Sequence, residues 1–152
     1  MTRKTRIAGA ALIGALLLAL FYPTLRWLVA EWLGNDFYSH GPLVPVISGF
    51  FAWRLWQRWP VEKRCVTPAN AGLVAVVLGL GAYLYALATR AYFIGSLAMI
   101  VIIAGLVWFL LGVHVLRRMA FPLLFLFFMV PLPFVEPMSV PLAQATGAVS
   151  AE

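Results

Sequence analysis

Five apolar runs, each ended by charged residues, leave this sequence few folds to choose from: Ile7 to Tyr22, Pro42 to Trp59, Ala71 to Ala88, Ala91 to Val113 and Met119 to Val135. Each approaches the ~20 residues with which a helix crosses about 30 Å of hydrocarbon, the first and last being short. Unpaired backbone amides are too costly in lipid, so the runs must be helical. The expected fold is all-α: a polytopic helical membrane protein of about five transmembrane helices, forming a single transmembrane domain over residues 1–152. Composition points the same way, with 64% hydrophobic residues, 11% charged and a mean hydropathy of +0.97, against a charged fraction of about 25% in soluble domains.

Basic residues are enriched in cytoplasmic loops, which orients the chain. With the amino terminus in the cytoplasm, Arg3, Lys4, Arg6, Arg54, Arg58, Lys63, Arg64, Arg117 and Arg118 all fall inside, leaving only Arg26 and Arg90 outside. Glu31, Asp36, Glu136 and Glu152 also fall outside. The net charge of +6 is thereby explained by topology, which argues against nucleic acid as a partner and makes the lipid bilayer the first one. Basic residues followed by the apolar run Ile7 to Phe21 have the grammar of a signal peptide. No small-residue cleavage pattern follows promptly and further spans come after, so an uncleaved signal-anchor is expected.

Local patterns refine the spans. Gly72, Ala75, Gly79, Ala82 and Ala86 alternate at spacings of three and four, which brings small residues to one helical face suited to packing. Trp53, Trp56 and Trp59 beside Arg54 and Arg58 read as an interfacial aromatic belt. The fourth and fifth spans should form an antiparallel pair joined by a turn around His114, Arg117 and Arg118. Pro122 suits a first helical turn, whereas Pro131 and Pro133 should end or kink the fifth helix. Met138 to Glu152 reads as an interfacial carboxy-terminal segment.

The stretch Asn35 to Pro45, NDFYSHGPLVP, concentrates polar side chains just before an apolar run. Pro42 fits the first position of the second helix with Gly41 as its N-cap. Tyr38, Ser39 and His40 are then candidates for a polar, outward-facing, substrate-binding site, and Glu136, on the same side, is a fourth. Capping, an aromatic belt and plain solvation explain the same residues without function. Cys65, the one cysteine, excludes an internal disulfide or a thiolate metal cluster. Lys63 and Arg64 would lower its pKa, but it lies across the bilayer from His40. No phosphate loop, metal-ligand spacing or nucleophile elbow is present, so neither a metal nor a cofactor is expected.

Two segments carry a resemblance. Tyr38-Ser39-His40-Gly41-Pro42-Leu43-Val44-Pro45-Val46-Ile47-Ser48, with Trp53-Arg54-Leu55-Trp56-Gln57-Arg58 after it, resembles the amino-terminal signature of the exosortase/archaeosortase family. Leu116 to Pro133, entered through Arg117-Arg118 and Phe121-Pro122 and left through Pro131-Leu132-Pro133, is similar to a later span of that family.

The resemblance implies a multi-pass protein of the bacterial inner membrane with a cytoplasmic amino terminus, a cysteine protease and transpeptidase. Its partners would be exported proteins bearing a carboxy-terminal, PEP-CTERM-type sorting signal, cut at the outer face and passed on for surface attachment, often alongside exopolysaccharide production. The chemistry would be thiolate attack, an acyl-enzyme and transfer to an acceptor. The family's nucleophile lies in an Ala-Cys-Ser-Gly-type motif beyond the matched region, followed by its catalytic Arg. The sequence here ends at Glu152 before any such motif, so no catalytic residue is assigned within it, and the chain alone is expected to be an inactive fragment. The competing reading is a non-catalytic membrane scaffold or assembly subunit of a polysaccharide or transport system.

Overall fold

The computed structural model describes residues 3–59 and 70–131. Every regular element among them is helical: α1 Arg3–Gly34, α2 Leu43–Gln57, α3 Asn70–Thr89, α4 Tyr92–Leu111, α5 Val113–Arg118 and α6 Ala120–Phe125. A 3₁₀ turn over Asp36–Tyr38 follows α1, and another over Leu126–Met129 follows α6. Gly14–Gly34 of α1, together with α3 and α4, is long and apolar enough to cross a membrane, and Ala120–Met129 forms a shorter apolar helix. The polytopic helical fold expected from the apolar runs is thus the fold observed.

The first helix does not stop at Tyr22. It continues through Pro23 to Gly34, and its 32 residues extend about 48 Å at 1.5 Å per residue. Pro23 lacks the N–H that would bond the Ala19 carbonyl, and its ring crowds the turn before it. The disturbed turn finds a partner elsewhere. The Tyr83 hydroxyl of α3 donates to the Leu20 carbonyl at 2.8 Å and accepts from the Thr24 hydroxyl at 3.3 Å. Thr24 and Tyr83 are both fully buried, and Phe21 meets the Tyr83 ring edge-on, centroids 5.1 Å apart. A polar chain of side chains thus ties α1 to α3 on both sides of Pro23.

Helices α3 and α4 form the most intimate pair. A Cβ added at Gly72 would collide with the backbone of Phe109, one at Gly79 would lie 2.8 Å from Ile102 Cγ1, and one at Gly105 would lie 2.9 Å from Val76 Cγ2. Small residues let the two backbones approach, which compensates for the weak hydrophobic drive between helices in lipid. Gly72, Gly79 and Ala86 of the expected stripe are buried here. Ala75 is half-buried and Ala82 faces outward, its place taken by Tyr83. The turn between α3 and α4 closes with Arg90 at φ 56°. The Ala91 N–H donates to the Ala86 carbonyl at 3.0 Å and the Arg90 N–H to the Leu87 carbonyl at 3.4 Å, a Schellman arrangement whose left-handed residue is usually glycine.

The fifth apolar region departs from a single span. The chain reverses at Gly112 (φ 90°), not at His114 to Arg118, and Arg117 and Arg118 lie within α5. From there α5, α6 and the second 3₁₀ turn run back along α4. Pro122 occupies the first turn of α6 as expected, with the Leu123 N–H donating to the Met119 carbonyl at 3.1 Å. Pro133, Glu136 and the expected interfacial segment Met138 to Glu152 lie outside the described residues, as do Lys63, Arg64 and Cys65.

Candidate functional site

After α1 the chain winds through successive tight turns. The Tyr38 N–H donates to the Asn35 carbonyl at 3.0 Å, Gly41 N–H to Tyr38 at 2.8 Å, Leu43 N–H to His40 at 3.1 Å and Val44 N–H to Gly41 at 3.2 Å. Pro42, rather than Gly41, is the residue flanking α2, and it already has helical dihedrals of −61° and −28°. Backbone groups that would otherwise be orphaned between two helices are thereby paired within ten residues of sequence.

Trp32, on the last turns of α1, holds this loop in place. A Cβ built at Gly41 would overlap the Trp32 ring, so the indole lies directly against the glycine. On its other side the Trp32 Nε1–H donates to the Met129 carbonyl at 2.9 Å, where the second 3₁₀ turn would otherwise leave an acceptor unpaired. One buried side chain thus joins the end of α1, the turn through residues 35–44 and the end of the segment 120–129.

A second row of contacts continues the seam between α2 and α6. Ser48 Oγ donates to the Pro122 carbonyl at 2.7 Å, and Phe51 meets Phe121 edge-on at 5.4 Å and 89°. At the far end the Arg118 guanidinium sits over the Trp59 ring, 5.2 Å from its centroid, a cation–π contact. The two sequence segments singled out at the start are therefore packed against one another along their length. Trp59, expected in an exposed belt, is buried beneath that arginine, while Trp53 does face outward.

The candidate site residues divide. Tyr38 is buried in the core cluster with Trp32, Val44, Met129 and Val130, so its ring supports the loop. Ser39 and His40 are exposed on the turn above it. Glu136 lies outside the described residues, seven positions after the Met129 that receives the Trp32 N–H. Sequence reasoning missed Trp32 and Ser48: neither has a titratable group, and their importance comes from carbonyls 97 and 74 residues away. Among the described residues no three His, Cys, Asp or Glu gather as a metal site would require.

Charge separates the two ends of the bundle. Trp27 of α1 stacks on Tyr92 at the start of α4, 5.8 Å apart, and Leu17 shares a groove with Leu106 and Leu110 near its end. The start of α1, with Arg3, Lys4 and Arg6, therefore lies toward the end of α4. Arg54 and Arg58 at the end of α2, and Arg117 and Arg118 in α5, share that side through the Trp59 contact. Glu31, in the last turn of α1, and Asp36 and His40, just beyond its end, lie at the opposite side.

These features define a class: a multi-pass helical membrane protein whose two ends carry different charge, with a polar turn clamped at one of them. Over residues 27–152 the sequence matches the family described as Transmembrane exosortase (Exosortase_EpsH), and the chain belongs to that family. The match begins at Trp27 and so takes in Trp32, the clamped turn and both packed segments. No curated protein and no solved structure shows a detectable match.

Proposed function

We propose that the clamped turn is part of the substrate-receiving wall of an exosortase, on the extracytoplasmic side of the bacterial inner membrane, where the carboxy-terminal sorting signal of an exported protein is processed. The observation that carries this reading is the Trp32 bridge between Gly41 and Met129. It makes one rigid surface of two segments that the family shares, and preorganised surfaces are what binding and acyl transfer require. In this reading Ser39 and His40 offer hydrogen bonds to an incoming peptide, Tyr38 fixes the turn beneath them and Glu136 completes the polar rim. The residues of the turn include no thiol. Their part is to receive and orient the substrate for a cysteine nucleophile that attacks the scissile carbonyl, forms an acyl-enzyme and passes the acyl group to an acceptor. Cys65 falls between Trp59 and Asn70, both at the Arg-rich end, and takes no part. The orientation is supported by the charge asymmetry, since Lys and Arg favour the cytoplasmic side.

Photo-crosslinking tests the assignment without requiring turnover. A benzophenone amino acid replaces His40 in one variant and Gln57 in another, each produced with an exported reporter carrying a sorting signal. Adducts from position 40 and none from position 57 are expected. Adducts of equal yield, or from position 57 alone, would remove the turn from the substrate path.

A further inference from the structure

Charge segregation leaves two arginines, Arg26 and Arg90, at the end that carries Glu31 and Asp36. Arg26 lines a groove of about 470 Å³ together with Tyr22, Pro23, Trp27, Ala30 and Tyr92. The stacked rings of Trp27 and Tyr92, inclined at 22°, form one wall, and Arg90 lies two residues before Tyr92 in the left-handed turn. Arg26 and the hydroxyls of Tyr22 and Tyr92 make no hydrogen bond or ion pair with any described residue. Among the described residues, then, the groove presents a guanidinium without a partner, flanked by two phenols likewise unbonded.

Its surroundings identify the occupant. Leu18, Tyr22, Val29 and Leu33 are 65%, 64%, 46% and 80% exposed, and they stand four, four, three and four residues apart along the helix with Arg26 among them. That spacing puts all five on one face of α1, so the guanidinium is continuous with exposed apolar side chains, of which Leu18 and Tyr22 lie on the side away from Asp36. Tryptophan and tyrosine favour the headgroup level. A guanidinium matches two phosphate oxygens at once. A free phosphate would gain only the arginine, whereas a phospholipid would also cover those side chains.

We propose that this groove binds the phosphate of an anionic phospholipid at the membrane surface on the Asp36 and His40 side, with its acyl chains along Leu18 and Tyr22. Arg26, with Tyr22 and Pro23, lies ahead of the family match, which begins at Trp27 and takes in the other half of the lining, and lipid binding here is a role separate from peptide processing. It gives the end of α1 beyond Pro23 a lipid anchor next to the clamped turn.

Native mass spectrometry of the detergent-solubilised chain titrated with phosphatidylglycerol tests the proposal. Arg26→Gln should weaken retention about fivefold, the equivalent of about 1 kcal/mol for one basic side chain at an anionic surface. Arg26→Lys should keep most of it. Arg58→Gln, at the opposite end and also exposed, sets the loss expected of any single arginine, and circular dichroism verifies that each variant is folded. Excess inorganic phosphate should leave the lipid bound. Equal losses in Arg26→Gln and Arg58→Gln would overturn the site, and displacement by inorganic phosphate would overturn the lipid as its ligand.

Discussion

Replacing Gly41 by Ala tests the clamp at its narrowest point. Gly41 does not adopt a positive φ, since Gly112 is the glycine that does so among the described residues. The backbone at 41 therefore tolerates a side chain, and any penalty comes from space. The added methyl would overlap the Trp32 ring, and the indole can yield only by withdrawing Nε1 from the Met129 carbonyl, now 2.9 Å away. Overpacking of this kind costs roughly 1–3 kcal/mol, and a buried carbonyl left without its donor a further 1–3 kcal/mol or so. The expected loss is about 2–6 kcal/mol. Because both terms act through the indole, Trp32→Ala should largely abolish the effect of Gly41→Ala. A double-mutant cycle in micelles, read by reversible denaturation in a mixed detergent series, should give a coupling of at least about 1.5 kcal/mol, well above the ~0.5 kcal/mol within which independent sites add. Additivity within that margin would refute the clamp.

Other consequences concern the scaffold and its orientation. Tyr83→Phe removes the donor to the Leu20 carbonyl and the acceptor for Thr24 and should cost about 1–2 kcal/mol, in line with hydrogen bonds inside membrane proteins; pairing it with Thr24→Val in the same denaturation assay should give non-additive losses. Arg90→Gly relieves a left-handed conformation (φ 56°) that costs roughly 1–2 kcal/mol for a side-chain-bearing residue, so the variant should be more stable by about 1 kcal/mol. A reporter active only outside the cytoplasm, fused after Asp36, should be active, and the same reporter fused after Arg58 should be silent; the reverse pattern would invert the topology.

The sequence made the bundle legible because hydropathy and helix length are local quantities. The runs containing α3 and α4 follow directly from them, and so do the buried Gly72, Gly79 and Ala86, whose spacing already marks a packing face. What stayed hidden depends on partners distant in the chain. Pro23 looks like a stop, yet α1 passes through it, held on either side of the proline by Tyr83, 63 residues after Leu20 and 59 after Thr24. Arg117 and Arg118 look like loop residues, yet the reversal belongs to Gly112, whose φ of 90° no charge pattern announces. Trp59 beside a pair of arginines suggests a belt, but Arg118 covers it. The polar turn was legible as a place and not as an arrangement. Its residues Tyr38, Ser39 and His40 look equivalent in sequence, and only the packing of Trp32 and Met129 separates the buried ring from the two exposed side chains.

Residues 35–44 pack beside the end of segment 120–129, and pulse-dipolar electron paramagnetic resonance measures that proximity directly. Spin labels at Ser39→Cys paired in turn with Phe128→Cys and with Gln57→Cys, in a Cys65→Ser background, use three exposed positions. Position 57 lies at the far end of a 15-residue helix, about 22 Å long. The clamp predicts that 39 to 128 is clearly the shorter separation. A 39 to 128 separation equal to or longer than 39 to 57 would contradict it.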